Sequence, residues 1–128
     1  MLLRRLLPAA ALLVALAGPA GARCSARTPA ARAAAIARHA WDKHGAEFGA
    51  GRRIANKAFP RPGLTSESEL AAKVESILAG GPGEPISNGR TKFWEDATGT
   101  IVIFNSRARD CGTAFRPNQG RRYYDRQR

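Results

Sequence analysis

The strongest constraint on the fold is a run of five β-branched or aromatic residues, Thr100-Ile101-Val102-Ile103-Phe104. Such residues favour extended backbone, and an almost wholly apolar run is typical of a strand covered on both faces. We therefore predict a central strand here. Residues 90–94 are predicted to form a neighbouring strand, joined to it by a turn in which Gly99 adopts a positive φ. Residues 113–116 and 122–124 are candidates for a third and a fourth short strand.

Helical patterns precede this β-rich part. The alanine-rich residues 32–44 favour a helix that ends at Gly45. A second helix begins with a capping box formed by Ser66 and Glu69, and apolar residues then recur at helical spacing over 70–78. Helices followed by a small antiparallel sheet predict an α+β fold, in which the N-terminal helices pack on the sheet.

The first 22 residues have the layout of a secretory signal peptide. Arg4 and Arg5 precede an apolar stretch, and Ala20-Gly21-Ala22 has the form of a cleavage site. The apolar stretch is short for a membrane anchor, which is the alternative interpretation. We expect a secreted protein with a flexible linker at 23–33 and one domain at 34–128.

The chain is strongly basic. Removing Arg4 and Arg5 lowers its net charge from +11 to +9, and arginine supplies most of the excess. Because the guanidinium group binds phosphate in a bidentate manner, this balance favours a nucleic-acid partner. An anionic membrane or an acidic protein would satisfy the same charge.

Two cysteines, Cys24 and Cys111, are the whole complement. Export permits a disulfide between them, although the position of Cys24 in the predicted linker leaves the pairing open. The sequence lacks the spacings typical of a metal site, so we expect neither a metal nor a cofactor.

A histidine next to a lysine carries the functional prediction. The chain has two histidines, and His44 directly follows Lys43. Histidine can donate or accept a proton near neutral pH, and an adjacent ammonium group favours an anion such as phosphate. Together with the arginine excess, this pair indicates RNA cleavage. The competing interpretation is that His44 only places a cation at the end of its helix.

Several short motifs follow one another from residue 41 to residue 124. They are Lys43-His44 with Phe48-Gly49, the helix at 70–78, the hairpin of Phe93-Trp94 with 101–104, and Thr113-Ala114-Phe115 with Arg116-Pro117-Asn118. In this order they resemble the nuclease domain of colicin D and related polymorphic bacterial toxins. That group is placed in the barnase, EndoU, colicin and RelE-like ribonuclease superfamily.

The resemblance implies that His44 is the catalytic histidine and Lys43 its cationic neighbour. Thr113 lies where the family has an active-site serine, and Phe115 lies where it has a tryptophan. The family also has a lysine two positions before Lys43, where this chain has Trp41. The substrate-binding candidates that we add to Phe115 are cations for the phosphate and an aromatic ring for an unpaired base, namely Arg90, Lys92, Arg116 and Trp94.

The function implied by the resemblance is that of a secreted, metal-independent endoribonuclease toxin that cleaves tRNA and leaves a 2′,3′-cyclic phosphate. Its implied partner is an acidic cognate immunity protein. We further expect a monomer without stable membrane insertion after removal of the signal peptide. Two alternatives stay open, an exported basic protein that binds polyanions without catalysis and a degenerate toxin domain that only binds an immunity protein.

Overall fold

The computed structural model describes residues 23–49, 59 and 61–128. Helices pack against a four-stranded antiparallel sheet with the strand order β1-β2-β3-β4, which confirms the α+β prediction. The predicted signal peptide lies outside the described residues. The elements in chain order are α1 (Pro29–Phe48), α2 (Glu67–Ala79), β1 (Glu84–Ile86), β2 (Arg90–Glu95), β3 (Thr100–Asn105), β4 (Gly112–Phe115) and α3 (Arg121–Arg126).

Helix α1 is longer than predicted at both ends. Thr28 caps its first turn by accepting a hydrogen bond from the Ala31 amide at 3.1 Å, and a proline at the first helical position favours this start. Gly45 does not end the helix, because the buried Phe48 continues its packing for one further turn. The linker predicted at 23–33 is therefore wrong over 29–33, which are helical.

The preceding residues are anchored as well. Cys24 and Cys111 form a disulfide with their Cα atoms 4.7 Å apart, and both side chains are buried. The Cys24 amide also donates to the Ser106 carbonyl at 3.2 Å. These bonds hold the N-terminal segment against the connection between β3 and β4, so the flexible linker prediction is corrected there too.

Helix α2 begins where the capping pattern predicted. The Ser66 hydroxyl accepts from the Glu69 amide at 3.2 Å, and Gly80 follows the last helical residue. The Glu69 carboxylate reaches back to the Thr65 amide at 2.6 Å, one residue earlier than in a capping box. Leu70, Val74 and Ile77 form the buried face of the helix.

The sheet separates two cores because successive side chains along a strand point to opposite faces. Val102 on β3 pairs with Phe93 and Ala114, and this face packs against α1 and α2. Ile101 pairs with Trp94 and Phe115, and the face that these residues share is covered by α3. Strand β3 is therefore central and buried on both sides, as predicted.

Residues 122–124, predicted as a strand, are part of helix α3 instead. The strand that the sequence analysis did not predict is β1, which pairs with β2 at the edge of the sheet. Tyr124 packs on Ile101 and Ile103. The Lys92 ammonium group donates to the carbonyls of Tyr124 and Gln127 at 2.7 and 2.9 Å, which satisfies acceptors at the helix end. On the opposite face of the sheet, helix α1 packs against β4. Over the described residues, no helix has the length and apolar character needed to cross a membrane.

Candidate active site

A cleft beside the predicted histidine has a volume of about 800 Å³. It lies between the last turns of α1, the end of β4, the connection to α3 and α3 itself. The residues that line it are Lys43, His44, Ala46, Glu47, Phe115, Arg116, Pro117, Asn118, Gln119, Tyr123 and Arg126. Of the predicted site residues, the fold brings Lys43, His44, Phe115 and Arg116 to this cleft.

His44 is half-buried and held on two sides. Its Nδ1 lies 2.6 Å from Oε2 of Glu47, and its ring packs on Phe115 with the ring centres 5.2 Å apart. An ionised carboxylate can only accept a hydrogen bond, so this contact requires the proton on Nδ1. The neutral imidazole then has Nε2 as its basic nitrogen, which suits it to take a proton from a bound group.

Glu47 was not predicted from the sequence, and it is fixed through both carboxylate oxygens. While Oε2 contacts His44, Oε1 accepts from the backbone amide of Arg116 at 2.8 Å. The carboxylate therefore links the end of α1 to the end of β4. The available sequence signal was its position three residues after His44, since such residues are neighbours on a helix surface.

Lys43 lines the cleft with an exposed side chain. Its ammonium group would favour an anion beside the imidazole. Trp41, in the place of the family lysine, is half-buried and packs against the main core. A Cβ atom at Gly45 would lie 3.2 Å from the Trp41 ring, so the two positions fit closely. Trp41 is therefore a packing residue and does not supply charge to the cleft.

Thr113 does not line this cleft. It lies on β4 opposite Ile103, two residues before Phe115 and on the same face of the sheet. Its Oγ1 atom is buried and has no hydrogen-bond partner among the residues that the structure describes. The β4 ring that packs on His44 is that of Phe115, and Thr113 is not among the residues that line the cleft.

Arg116 cannot bind substrate in the way that we predicted, because its side chain is only 1% exposed. Its guanidinium group donates to the carbonyls of Thr98 at 2.8 Å, Glu47 at 3.0 Å and Phe59 at 3.0 Å. Burial lowers the pKa of Arg116, nearby Arg61 lowers it further, and Glu47 opposes the change. The arginine connects three chain segments behind the cleft and so supports the position of Glu47.

Lys92 and Arg90 also lie outside the cleft. Lys92 is 3% exposed, bound to the carbonyls at the end of α3, and lies 4.1 Å from the ring centre of Tyr124. Arg90 donates to the carbonyl and hydroxyl oxygens of Ser87 and to the carbonyl of Arg128. The prediction that they bind phosphate is corrected: burial commits Lys92 to the fold, and Arg90 holds the chain after α3.

Trp94 packs within the second core rather than beside His44. Its ring centre lies 5.8 Å from that of Phe59 and 6.0 Å from that of Tyr124, and its indole donates to Asp96 at 3.2 Å. It lines a separate cavity of about 370 Å³ near the end of α2. Among the predicted aromatic contacts, the structure places only Phe115 in the cleft with His44.

Four further residues of the cleft wall were not predicted: Asn118, Gln119, Tyr123 and Arg126. Tyr123 meets Phe115 edge-on with the ring centres 5.3 Å apart. The Arg126 guanidinium donates to the side-chain oxygen of Gln119. Tyr123 and Arg126 belong to α3, so the strand predicted at 122–124 did not place them at this cleft.

Comparison with known proteins leaves the family open. No family model matches the chain, and no curated protein or solved structure is significantly similar to it. The resemblance to colicin D-type nucleases therefore stays a prediction. Among the described residues, no group of three or more histidine, cysteine or carboxylate side chains is arranged to hold a metal ion.

Proposed function

We propose that this protein is an exported, toxin-like endoribonuclease that cleaves RNA without a metal and leaves a 2′,3′-cyclic phosphate. The observation that carries this proposal is the contact of 2.6 Å between His44 and Glu47 in a cleft that also contains Lys43 and Phe115. The choice of tRNA as substrate and of an acidic immunity protein as partner rests on the resemblance described above.

The proposed reaction uses the imidazole as a base. Nε2 of His44 takes the proton of the ribose 2′-hydroxyl, and the 2′-oxygen forms a bond to phosphorus. The bond from phosphorus to the 5′-oxygen breaks, and that oxygen takes a proton from solvent. The Glu47 carboxylate stabilises the imidazolium ion, while the Lys43 ammonium stabilises the negative charge of the phosphorane. Phe115 offers a face on which an unpaired base can stack.

The decisive experiment compares two histidine variants of residues 23–128 on total tRNA in the presence of EDTA. We expect His44→Ala to lower the cleavage rate by about 10²–10⁴-fold, the usual contribution of general acid–base catalysis. His39→Ala is the matched control. His39 lies on the same helix but pairs with Asp110 at 3.3 Å, outside the cleft.

Thermal unfolding followed by circular dichroism would verify that both variants stay folded. Equal activity of the wild type and His44→Ala would refute the assignment of His44. Loss of wild-type activity on addition of EDTA would refute the metal-independent mechanism. If tRNA were bound in a salt-dependent manner but never cleaved, a polyanion-binding protein or a degenerate toxin domain would replace the nuclease proposal.

A further inference from the structure

We infer that a second cavity, at the disulfide end of the domain, binds a phosphate group of the RNA backbone. This inference deepens the proposed function and rests on it, because it states how a long RNA is held beyond the cleft. The disulfide-end cavity has a volume of about 330 Å³. Its wall includes Cys24, the half-buried Phe104 and three arginines, Arg23, Arg27 and Arg32.

The positive charge of this cavity is not offset by any carboxylate of the chain. All 10 acidic residues lie among the described residues, and none of them lines the cavity. The ion pairs within the described part of the chain involve other cations, so Arg23, Arg27 and Arg32 have no acidic partner there. Three guanidinium groups around one cavity repel one another, and a bound anion relieves that repulsion. Phosphate is the anion that best matches the geometry of arginine.

Arg32 is held in place by contacts that leave much of its donor capacity available. Its Nε donates to the Ala26 carbonyl at 3.2 Å, and its guanidinium carbon lies 4.5 Å from the ring centre of Phe104. Among the described residues, no hydrogen bond occupies its two terminal amino groups. A side chain fixed in this way loses little conformational freedom when it binds an anion.

The disulfide accounts for the presence of the other two arginines. Arg23 and Arg27 flank Cys24 in the sequence, and Cys24 is bonded to Cys111. The Cys24 amide also donates to the Ser106 carbonyl at 3.2 Å. The segment that carries both arginines is therefore attached to the domain before any ligand arrives, which lowers the entropic cost of binding.

The disulfide-end cavity and the cleft can be reached by one RNA strand. Arg32 precedes Lys43 by 11 positions on α1, about three helical turns, so the two residues lie on the same side of the helix. Their separation along the helix axis is about 16 Å. A stacked strand that rises about 3.4 Å per nucleotide covers this distance with roughly five nucleotides. A dinucleotide is too short to occupy both places.

The cavity of about 650 Å³ that lies between them on α1 adds little attraction for RNA. It is lined by two arginines, Arg38 and Arg109, but also by two carboxylates, Asp42 and Asp110. The disulfide-end cavity is therefore the place along this side of α1 where a second phosphate is bound.

The test uses the disulfide-bonded protein and two RNA probes with 2′-O-methyl riboses, which lack the hydroxyl needed for cleavage. One probe is a dinucleotide, and the other has about 12 nucleotides, within the usual size range of single-stranded sites. Fluorescence anisotropy measures both dissociation constants at several salt concentrations. We expect the wild type to bind the longer probe more tightly.

Arg23→Gln/Arg27→Gln should reduce this advantage of the longer probe about fivefold at 0.1 M salt. The slope of log K against log salt should fall by about 0.7, the contribution of one phosphate on a single strand. Arg122→Gln/Arg128→Gln is the matched control, because it removes two charges from exposed positions at the other end of the chain. It should keep the wild-type advantage within about twofold, since charges beyond about 10 Å are screened at this salt.

An unchanged advantage in Arg23→Gln/Arg27→Gln, or an equal loss in the control variant, would overturn the inference. Tighter binding of polyglutamate, or of vesicles that contain phosphatidylserine, than of the longer RNA would overturn the choice of RNA as ligand. Failure of the proposed function would look different, since RNA would then be bound with the expected dependence on Arg23 and Arg27 but never cleaved.

Discussion

Removal of the disulfide should destabilise the protein by an amount that can be worked out from the structure. Cys24 and Cys111 are separated by 87 positions in the chain, so their bond closes most of the described domain into one ring. In the chain-entropy model, a ring of this size lowers the entropy of the unfolded chain by an amount worth about 4.6 kcal/mol at 25 °C. That is a large share of the roughly 5–15 kcal/mol by which small domains are stable.

The perturbation is the double variant Cys24→Ala/Cys111→Ala, compared with the oxidised wild type by urea unfolding at pH 7. With a typical slope of about 1–3 kcal/mol per molar urea, we expect the midpoint to fall by roughly 1.5–4.6 M. Wild-type protein that is reduced before unfolding is the control, and its midpoint should agree with that of the variant. A loss below about 1 kcal/mol would refute the reasoning that ring closure is a main source of stability.

Three further changes test other parts of the fold. Lys92→Met should lower the free energy of unfolding by about 2–4 kcal/mol in urea titrations, because two carbonyls at the end of α3 lose a charged donor. Gly112→Ala should prevent stable folding, detected as loss of the thermal transition, since its Cβ would lie 1.9 Å from the Ile103 carbonyl oxygen at a φ of +124°. Glu69→Gln should destabilise the protein at pH 7, and the difference should shrink as the pH falls below 4.5. Hydrogen bonds from the amide and then the hydroxyl of Thr65 lower the pKa of Glu69, so its contribution is present above its ordinary value of 4.5 and is lost as the pH falls. A Glu69→Gln difference that persists unchanged at pH 3 would contradict this account.

Local signals in the sequence were sufficient for the central strand, its hairpin and α2. The β-branched run predicts β3, and Gly99 has the positive φ, +64°, that its turn requires. The cap of α2 depends on residues adjacent in sequence. By contrast, Tyr123 and Tyr124 have high strand propensity yet belong to α3, because tertiary contacts outweigh a weak local preference.

The same distinction applies to the cleft. His44, Lys43 and Phe115 could be predicted from motifs, and Glu47 from its spacing on the helix. A cation in a sequence does not reveal whether its charge meets solvent or a carbonyl. Arg116 and Lys92 were predicted to bind phosphate, but in the fold they bind backbone carbonyls. Those carbonyls come from segments distant in the chain, so the sequence around each cation did not reveal them.

Helix α3 has only six residues, too few to persist without the sheet beneath it. It nevertheless supplies one wall of the cleft, and its first two residues are exposed arginines, Arg121 and Arg122. A trypsin-like protease that cut the backbone there would detach this wall, uncover Ile101 and Ile103 and take away the carbonyls that bind the Lys92 ammonium group. We therefore expect one cut in this short segment to remove a wall of the cleft and to destabilise the sheet at the same time.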